Sequence, residues 1–346
     1  MTNMRDVASL AGVSVSTVSA VLNDNKFVSP DIREKVEDAI QALDYHKKIH
    51  AKNNNDNEVA VILPGIGSSF FNPLLNGIST IANTRQLTIS IYDTNRVFSR
   101  ESEFVRSCAE RGIKNIIVDS VCDMAHESEY FSHLKQTYIN KYGMHIAVVE
   151  RQVKTDGFAS VYVDNFSACY DITSHLIETG CKRIAHIGGA QVFPNTQIRQ
   201  DAFIKAMRDH GIEPNPLRML KGDFTPISGY GLVQDLMDKG IAIDGIFAAN
   251  DQMAIGAMKA LINAGRRIPD DVAVAGFDNL AISSVVSPGL TTVQFPIFQM
   301  GAKAASIIAD LRDGKETNMD VKLESRLIIR GSTKKGVESD WAMHGW

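Results

Sequence analysis

The sequence predicts an α/β protein in which a three-helix helix-turn-helix head precedes a core of parallel β-sheets arranged as two lobes. Three observations carry that prediction. The first 45 residues hold three short amphipathic segments, set off by capping residues and a glycine. From Glu58 onward, apolar strand-like runs alternate with helix-like stretches. Those runs are too many for one small sheet, and 346 residues with 44% hydrophobic content suffice for a small head and two compact lobes.

In the head, Val7, Leu10 and Ala11 fall at i, i+3, i+4, one face of a helix. Asn3 suits its N-cap, and Gly12 stands where a C′ glycine ends a helix. Ser14 suits the cap of a second helix, in which Val18, Val21 and Leu22 repeat the spacing. Ser29 followed by Pro30 is a strong start for a third helix, with Ile32, Val36, Ile40 and Leu43 as its stripe. A unit of this size is too small for an enzyme and too polar for a membrane anchor. It is the right size to place one helix in a DNA major groove. The other face of the second helix carries Ser16, Thr17 and Ser19, short polar residues able to approach phosphates or base edges. A small helical cap without a nucleic-acid role would show the same periodicity.

The net charge of −4 offers DNA no global attraction, so nucleic-acid binding must be local. Residues 1–52 hold five Lys, two Arg, five Asp and two Glu, which cancel. Positive charge gathers at Lys47, Lys48 and Lys52, interleaved with His46 and His50. That cluster is the expected phosphate-contacting patch, with a plain solvated linker as the alternative, and Lys26 is a further candidate contact. Cys108, Cys122, Cys169 and Cys181 show neither Cys-x-x-Cys pairing nor zinc spacing and suit core thiols of a reducing cytoplasm. No signal peptide and no run of 18 apolar residues is present, which argues against secretion and membrane spanning. The expected location is cytoplasmic, and neither a cofactor nor a metal site is expected.

Val59 to Leu63 is an apolar run ending in Pro64-Gly65, as a buried parallel strand should. Residues 87–92, 116–118, 146–149, 184–187, 246–249 and 272–277 read alike. Helices are expected over 72–85, 165–179, 198–210, 251–264 and 298–312. The segments assign 1–45 to the head, 46–57 to a linker, 58–334 to the core and 335–346 to a tail. Ligands of such sheets bind beyond the carboxyl ends of the strands. The tail carries both tryptophans, Trp341 and Trp346, and no leucine heptads.

Asp6-Val7-Ala8, Ala11-Gly12-Val13-Ser14, Thr17-Val18-Ser19 and Val21-Leu22-Asn23 resemble the N-terminal signature of the lactose-repressor family of bacterial transcription regulators. The resemblance runs to about Lys334. It implies a core like that of periplasmic sugar-binding proteins, with two lobes joined by three crossovers near 161, 290 and 322. It also implies a hinge helix at 46–57 that orders on DNA and wedges a leucine into the minor groove. Here the wedge position is Asn54 and the usual Pro-Asn pair is Lys47-Lys48, so kinking must use another residue, Ile49 being a candidate, or be weaker.

Further words place an effector site. Ser68-Ser69-Phe70-Phe71-Asn72-Pro73 follows the first strand. Its aromatics could stack on a ring, with one phenylalanine in the core and Phe71 expected at the cleft. Asn195 and Arg199 belong to a segment similar to the family's Arg-x-x-Gly-Phe, with Ala202 for the glycine; the arginine fork could grip vicinal hydroxyls. Asn250-Asp251-Gln252-Met253-Ala254 is a second family word, and Asp251 is taken as a ligand for hydroxyls, with a bare helix cap as its alternative. Phe224 resembles an aromatic offered to the effector. Asp278, in Gly276-Phe277-Asp278-Asn279, is taken as structural, at the lobe interface.

The resemblance thus implies a homodimeric, ligand-responsive repressor bound to a pseudo-palindromic operator, with Val15, Ser16 and Ala20 in the groove and Thr17 on phosphate. A sugar is the favoured effector. A purine is the alternative, although Phe193 stands where a polar purine contact would be expected. A sugar-transport component would share the core but has no use for the head. An enzyme finds no support in Gly-x-Ser-x-Gly, Walker or His-Glu-x-x-His motifs, none of which occurs.

Overall fold

The computed structural model describes residues 3–23, 28–43, 55–334 and 336–337. The chain separates into two compact units, residues 1–52 and 53–346.

The first unit contains α1 (Met4–Ala11), α2 (Val15–Asn23) and α3 (Pro30–Ala42). The Asn3 side chain accepts hydrogen bonds from the N–H groups of Arg5 (2.8 Å) and Asp6 (3.3 Å), while its own N–H donates to Asp6 (2.7 Å). This reciprocal box satisfies donors that a helix start otherwise leaves open. Gly12 ends α1 at φ 66°, a conformation that costs glycine little. Ser14 Oγ accepts from Thr17 N–H at 3.1 Å and caps α2. Val7, Ala8, Val18, Val21, Val36 and Ala39 form the shared core. Two expectations fail here. Leu10 is 55% exposed, and Ala8 takes the inward place beside Val7; Ala20, expected in the groove, is only 7% exposed.

The second unit opens with β1 (Glu58–Leu63), α4 (Phe71–Arg85), β2 (Thr88–Asp93), α5 (Phe98–Arg111) and β3 (Asn115–Val118). Next come α6 (Glu127–Leu134), a π-helical turn (Lys135–Ile139), α7 (Asn140–Tyr142), β4 (His145–Val149) and β5 (Phe158–Val163). The chain then builds α8 (Asn165–Glu178), β6 (Ile184–Gly188), α9 (Pro194–Asp209), β7 (Met219–Lys221), α10 (Pro226–Asp238), β8 (Gly245–Ala248) and α11 (Asp251–Asn263). It ends with β9 (Ala273–Ala275), α12 (Ala281–Val285), β10 (Thr292–Gln294), α13 (Ile297–Arg312), β11 (Asp320–Leu323) and β12 (Arg326–Ile328).

Two parallel sheets result. One has the order β11-β5-β4-β3-β1-β2, the other β7-β6-β8-β9. β10 and β12 pair antiparallel as a small ribbon. The chain passes from the first sheet to the second between β5 and β6. It returns between β10 and α13, which packs on α4 and the first sheet, and leaves again between β11 and β12. Two glycines set how closely α4 and α13 approach. A Cβ on Gly77 would stand 2.1 Å from the Phe298 carbonyl oxygen, and one on Gly301 would stand 2.1 Å from that of Leu74. Only bare backbone fits at that crossing. Every strand of both large sheets runs the same way within its sheet, so the carboxyl ends of β1, β3 and β4 form one rim and those of β6, β8 and β9 another. Among the described residues no helix is long and apolar enough to cross a membrane.

Candidate functional site

Residues from both rims border a cleft that opens to solvent, the kind of place between strand ends where small molecules bind. The first lobe supplies Phe70, Phe71, Arg96, Asp119 and Glu150, and the second supplies Phe193, Asn195, Arg199, Phe224, Asn250 and Asp278. Each follows a strand of its sheet, as the rule for parallel sheets requires.

Arg199 is the most firmly held polar group. It is 4% exposed, and its Nε donates to Asn165 Oδ1 at 2.9 Å while Nη1 donates to the Ala249 carbonyl at 2.6 Å. Its guanidinium carbon lies 4.0 Å from the centroid of the Phe277 ring, a cation–π contact that further restricts the fork. Nη2 has no hydrogen-bond partner among the described residues, which leaves it available to a ligand.

Phe224 has φ 69° and forms an edge-to-face pair with Phe193, with centroids 5.5 Å apart. Its ring covers Gly189, where a Cβ would meet the ring at 1.9 Å. Asn250 ties the segment down: its Nδ2 donates to the Phe224 carbonyl at 3.1 Å and its Oδ1 caps α11. At the mouth, Arg96 donates to the Asp223 carbonyl at 3.2 Å and lies 5.8 Å from the Phe193 ring centroid. Phe70 and Phe71 pair edge to face at 5.2 Å. Phe71 is the more buried of the two and belongs to the core, so Phe70 offers the more open ring.

Three carboxyl groups border the same space. Asn195 Nδ2 reaches across from α9 to Glu150, donating to its carbonyl (3.2 Å) and Oε2 (3.1 Å). Asp119 and Asp278 have no side-chain hydrogen bond among the described residues. Burial pushes all three carboxyls above the usual range; Glu150 adds to the effect at Asp119, and Arg199 opposes it at Glu150 and Asp278.

Asp251 lies elsewhere. It is wholly buried, its Oδ1 accepting from Thr292 Oγ1 (2.6 Å) and its Oδ2 from Leu280 N–H (2.7 Å). It fastens the start of α11 to β10 and to the segment before α12. The ligand role expected for Asp251 is therefore corrected to a structural one, whereas Asp278 stands at the lobe interface as expected, with its carboxyl bordering the cleft. Asp119, Glu150 and Arg96 were not singled out from sequence. Asp119 and Glu150 are the first residues past the apolar runs of β3 and β4, so the strand-end rule could have found them.

On the head, Val15 and Ser16 are exposed and Thr17 is half-buried. Ser14 Oγ links to the hydroxyls of Ser16 (2.7 Å) and Thr17 (2.8 Å), gathering three short polar groups at the start of α2. Ala20, being buried, drops out of the groove set. Lys26, Lys47, Lys48 and Lys52, the hinge candidates Ile49 and Asn54, and Trp341 and Trp346 lie outside the described residues.

A helix-turn-helix unit joined to a two-lobed core with a polar, aromatic-walled cleft between its lobes defines a class, the effector-controlled DNA-binding regulators. Comparison with known proteins makes the assignment specific. Residues 3–48 match the model of the bacterial regulatory proteins of the lacI family, and residues 173–333 match a periplasmic binding protein-like domain. The chain is 32% identical to the HTH-type transcriptional regulator RegA of Clostridium saccharobutylicum over 339 residues, spanning 96% of this chain and 99% of the relative. It is 28% identical to the ribose operon repressor of Halalkalibacterium halodurans, spanning 98% and 99%. A solved complex of the transcriptional regulator CelR with cellobiose superposes with a TM-score of 0.72 at 27% identity, covering 96% of this chain and all of that one. The chain belongs to the lacI family of bacterial regulatory proteins. It is a ligand-responsive transcriptional regulator.

Proposed function

We propose that the effector is a polyhydroxylated small molecule, a sugar or sugar derivative, held between the lobes by Arg199, Asn195, Glu150 and Asp278 and faced by Phe70, Phe193 and Phe224. The observation that carries this reading is the convergence of one anchored guanidinium and three buried carboxyls on a single aromatic-walled cleft. Hydroxyls donate to carboxylates and accept from guanidinium, and the apolar faces of a sugar ring pack on aromatics. The cellobiose complex of CelR and the name of the ribose operon repressor point the same way. The regulator acts as a repressor in the cytoplasm and works by binding, without a catalytic step. On the operator, Val15 and Ser16 read base edges and Thr17 contacts phosphate, with Val15 suited to a thymine methyl. The basic residues Lys26, Lys47, Lys48 and Lys52 add phosphate contacts.

The lobes are already linked across the cleft by Asn195 with Glu150, by Arg96 with Asp223, and by Gln252 with Ser69. An effector that binds one degree of lobe closure better than another shifts that equilibrium. A tenfold change in operator affinity needs about 1.4 kcal/mol of coupling. The test is a gel shift on the DNA upstream of the chain's own coding region, titrated with a panel of neutral sugars. A retarded band whose midpoint moves with one of them is expected. The absence of any retarded band, with or without sugars, contradicts the operator reading.

A further inference from the structure

None of the three carboxyls at the cleft has its full set of donors. Asp119 and Asp278 are 6% and 4% exposed, and neither side chain is hydrogen-bonded among the described residues. Glu150 Oε1 is buried without a partner, although Oε2 receives Asn195. Asp119 and Glu150 leave adjacent strands, since Val118 of β3 is paired with Val148 of β4. Asp278 faces them from the other lobe across the same cavity.

The positive groups nearby are largely committed. Arg199 spends Nε and Nη1 on Asn165 and Ala249. Arg151 does not border the cleft; its Nη2 donates to the Ser120 and Cys122 carbonyls, while Nη1, 3.8 Å from Glu127, is buried without a hydrogen bond among the described residues, and its charge opposes part of the upward shift at Asp119 and Glu150 from behind the cleft wall. Arg96 is at the exposed mouth, engaged with Asp223 and Phe193. Behind Asp119 stands one more buried acid, Glu101, which accepts from Val121 N–H and the Tyr130 hydroxyl. Acid is therefore in excess inside the cleft.

Resting on the reading of the effector as a polyol, we infer that the effector also carries a protonated amine, as an amino sugar does, and that its ammonium sits among Asp119, Glu150 and Asp278. A hydroxyl brings one donor and no charge, whereas an ammonium brings three donors and the missing positive charge. Buried ionised carboxylates without partners are costly. Without ligand the site relieves that cost by holding protons, consistent with the upward shift at all three groups. An ammonium takes the place of one of those protons and donates to the neighbouring carboxyls. Sugar acids and phosphorylated sugars meet like charge and are rejected.

The inference is tested without knowing the sugar's stereochemistry by comparing Tris with pentaerythritol. The two share a skeleton, with an ammonium in one where the other has a hydroxymethyl group. Thermal unfolding of the full-length protein is followed at pH 7 with each, potassium chloride matching the ionic strength. Tris is expected to raise Tm saturably, with a half-saturating concentration at least tenfold below that of pentaerythritol. Asp119→Asn and Asp278→Asn should each shrink that ratio, with circular dichroism confirming that the unliganded variants are folded. An equal response to the two compounds overturns the amine, as does a Tris preference that persists in both variants. A response to neither also overturns it. In that case neutral sugars in the same assay decide the underlying reading: a hit leaves the polyol effector standing, and silence removes it too.

Discussion

The two walls of the cleft are built differently. On the second-lobe wall the arginine fork and the aromatic face are held before any ligand arrives, Arg199 by Asn165, Ala249 and Phe277 and Phe224 by Gly189 and Asn250, and only the Asp278 carboxyl is left without a side-chain hydrogen bond among the described residues. On the first-lobe wall, the Asp119 carboxyl has no hydrogen bond among the described residues, and the Glu150 carboxyl depends on Asn195 from the opposite lobe. One wall is preorganised, which lowers the ordering cost of binding. The other is incomplete until the lobes meet or a ligand supplies donors. That asymmetry suits a sensor, because completing the incomplete wall and closing the lobes are the same event.

The comparison can be broken most forcefully at Arg199. Arg199→Ala removes the anchored fork and leaves Glu150 and Asp278 without their opposing charge. Effector affinity should fall by about 2–5 kcal/mol, the usual loss when one partner of a buried charged hydrogen-bond set is truncated. Calorimetric titration with the effector measures it, and near-unchanged affinity would remove Arg199 from the site. The second test is Gly189→Ala. Its methyl would collide with the Phe224 ring, so affinity should drop at least tenfold while Tm changes little. A lost aromatic wall with an intact fold is the signature; equal affinity would show that the ring is not a ligand wall.

The two aspartates sharpen the comparison further. Asp278→Asn should weaken the effector and spare stability. Asp251→Asn should do the reverse, with the largest loss of stability at acidic pH. Burial first, against the Thr292 and Leu280 hydrogen bonds, pushes the Asp251 carboxyl up to about 7. A carboxyl raised in the folded state is bound to its proton more tightly there than in the unfolded chain. Its contribution to stability is therefore full below the ordinary aspartate range near pH 4 and is lost as pH rises towards 7. Unfolding by urea across that window should show a decline that Asp251→Asn flattens; an unchanged slope would discount Asp251 as its source. The smallest effect belongs to the head, where Ser14→Ala removes the cap of α2 and should cost about 1 kcal/mol, read as a modest loss of operator affinity.

How legible these features were in the sequence depends on how local their causes are. The head's boundaries follow from Asn3, Gly12, Ser14 and Ser29-Pro30, all of which act within one turn. The apolar strands β1, β3, β4, β6 and β8 stand out because both of their faces are buried. β7, β10, β11 and β12 are only three or four residues long, and alternating polar residues mark β11, so they escape a search for continuous apolar runs. In the site, Phe70, Phe71, Asn195, Arg199 and Phe224 are found at the cleft. Asp251 was misplaced because it and Asp278 both follow a strand of the second sheet, and position in the chain does not tell which way each carboxyl faces. That is decided by Thr292 and the Leu280 N–H, 41 and 29 residues from Asp251.

The central claim is that the cleft and the head are energetically coupled through an effector bound at Asp278 and Arg199. The most direct measurement is operator affinity by fluorescence anisotropy, on the chain's own upstream DNA, with and without the sugar that most raises Tm. The account predicts a change of tenfold or more for the wild-type protein and none for Asp278→Asn at the same sugar concentration. An equal change in both proteins, or no change in either despite saturated binding, would contradict it.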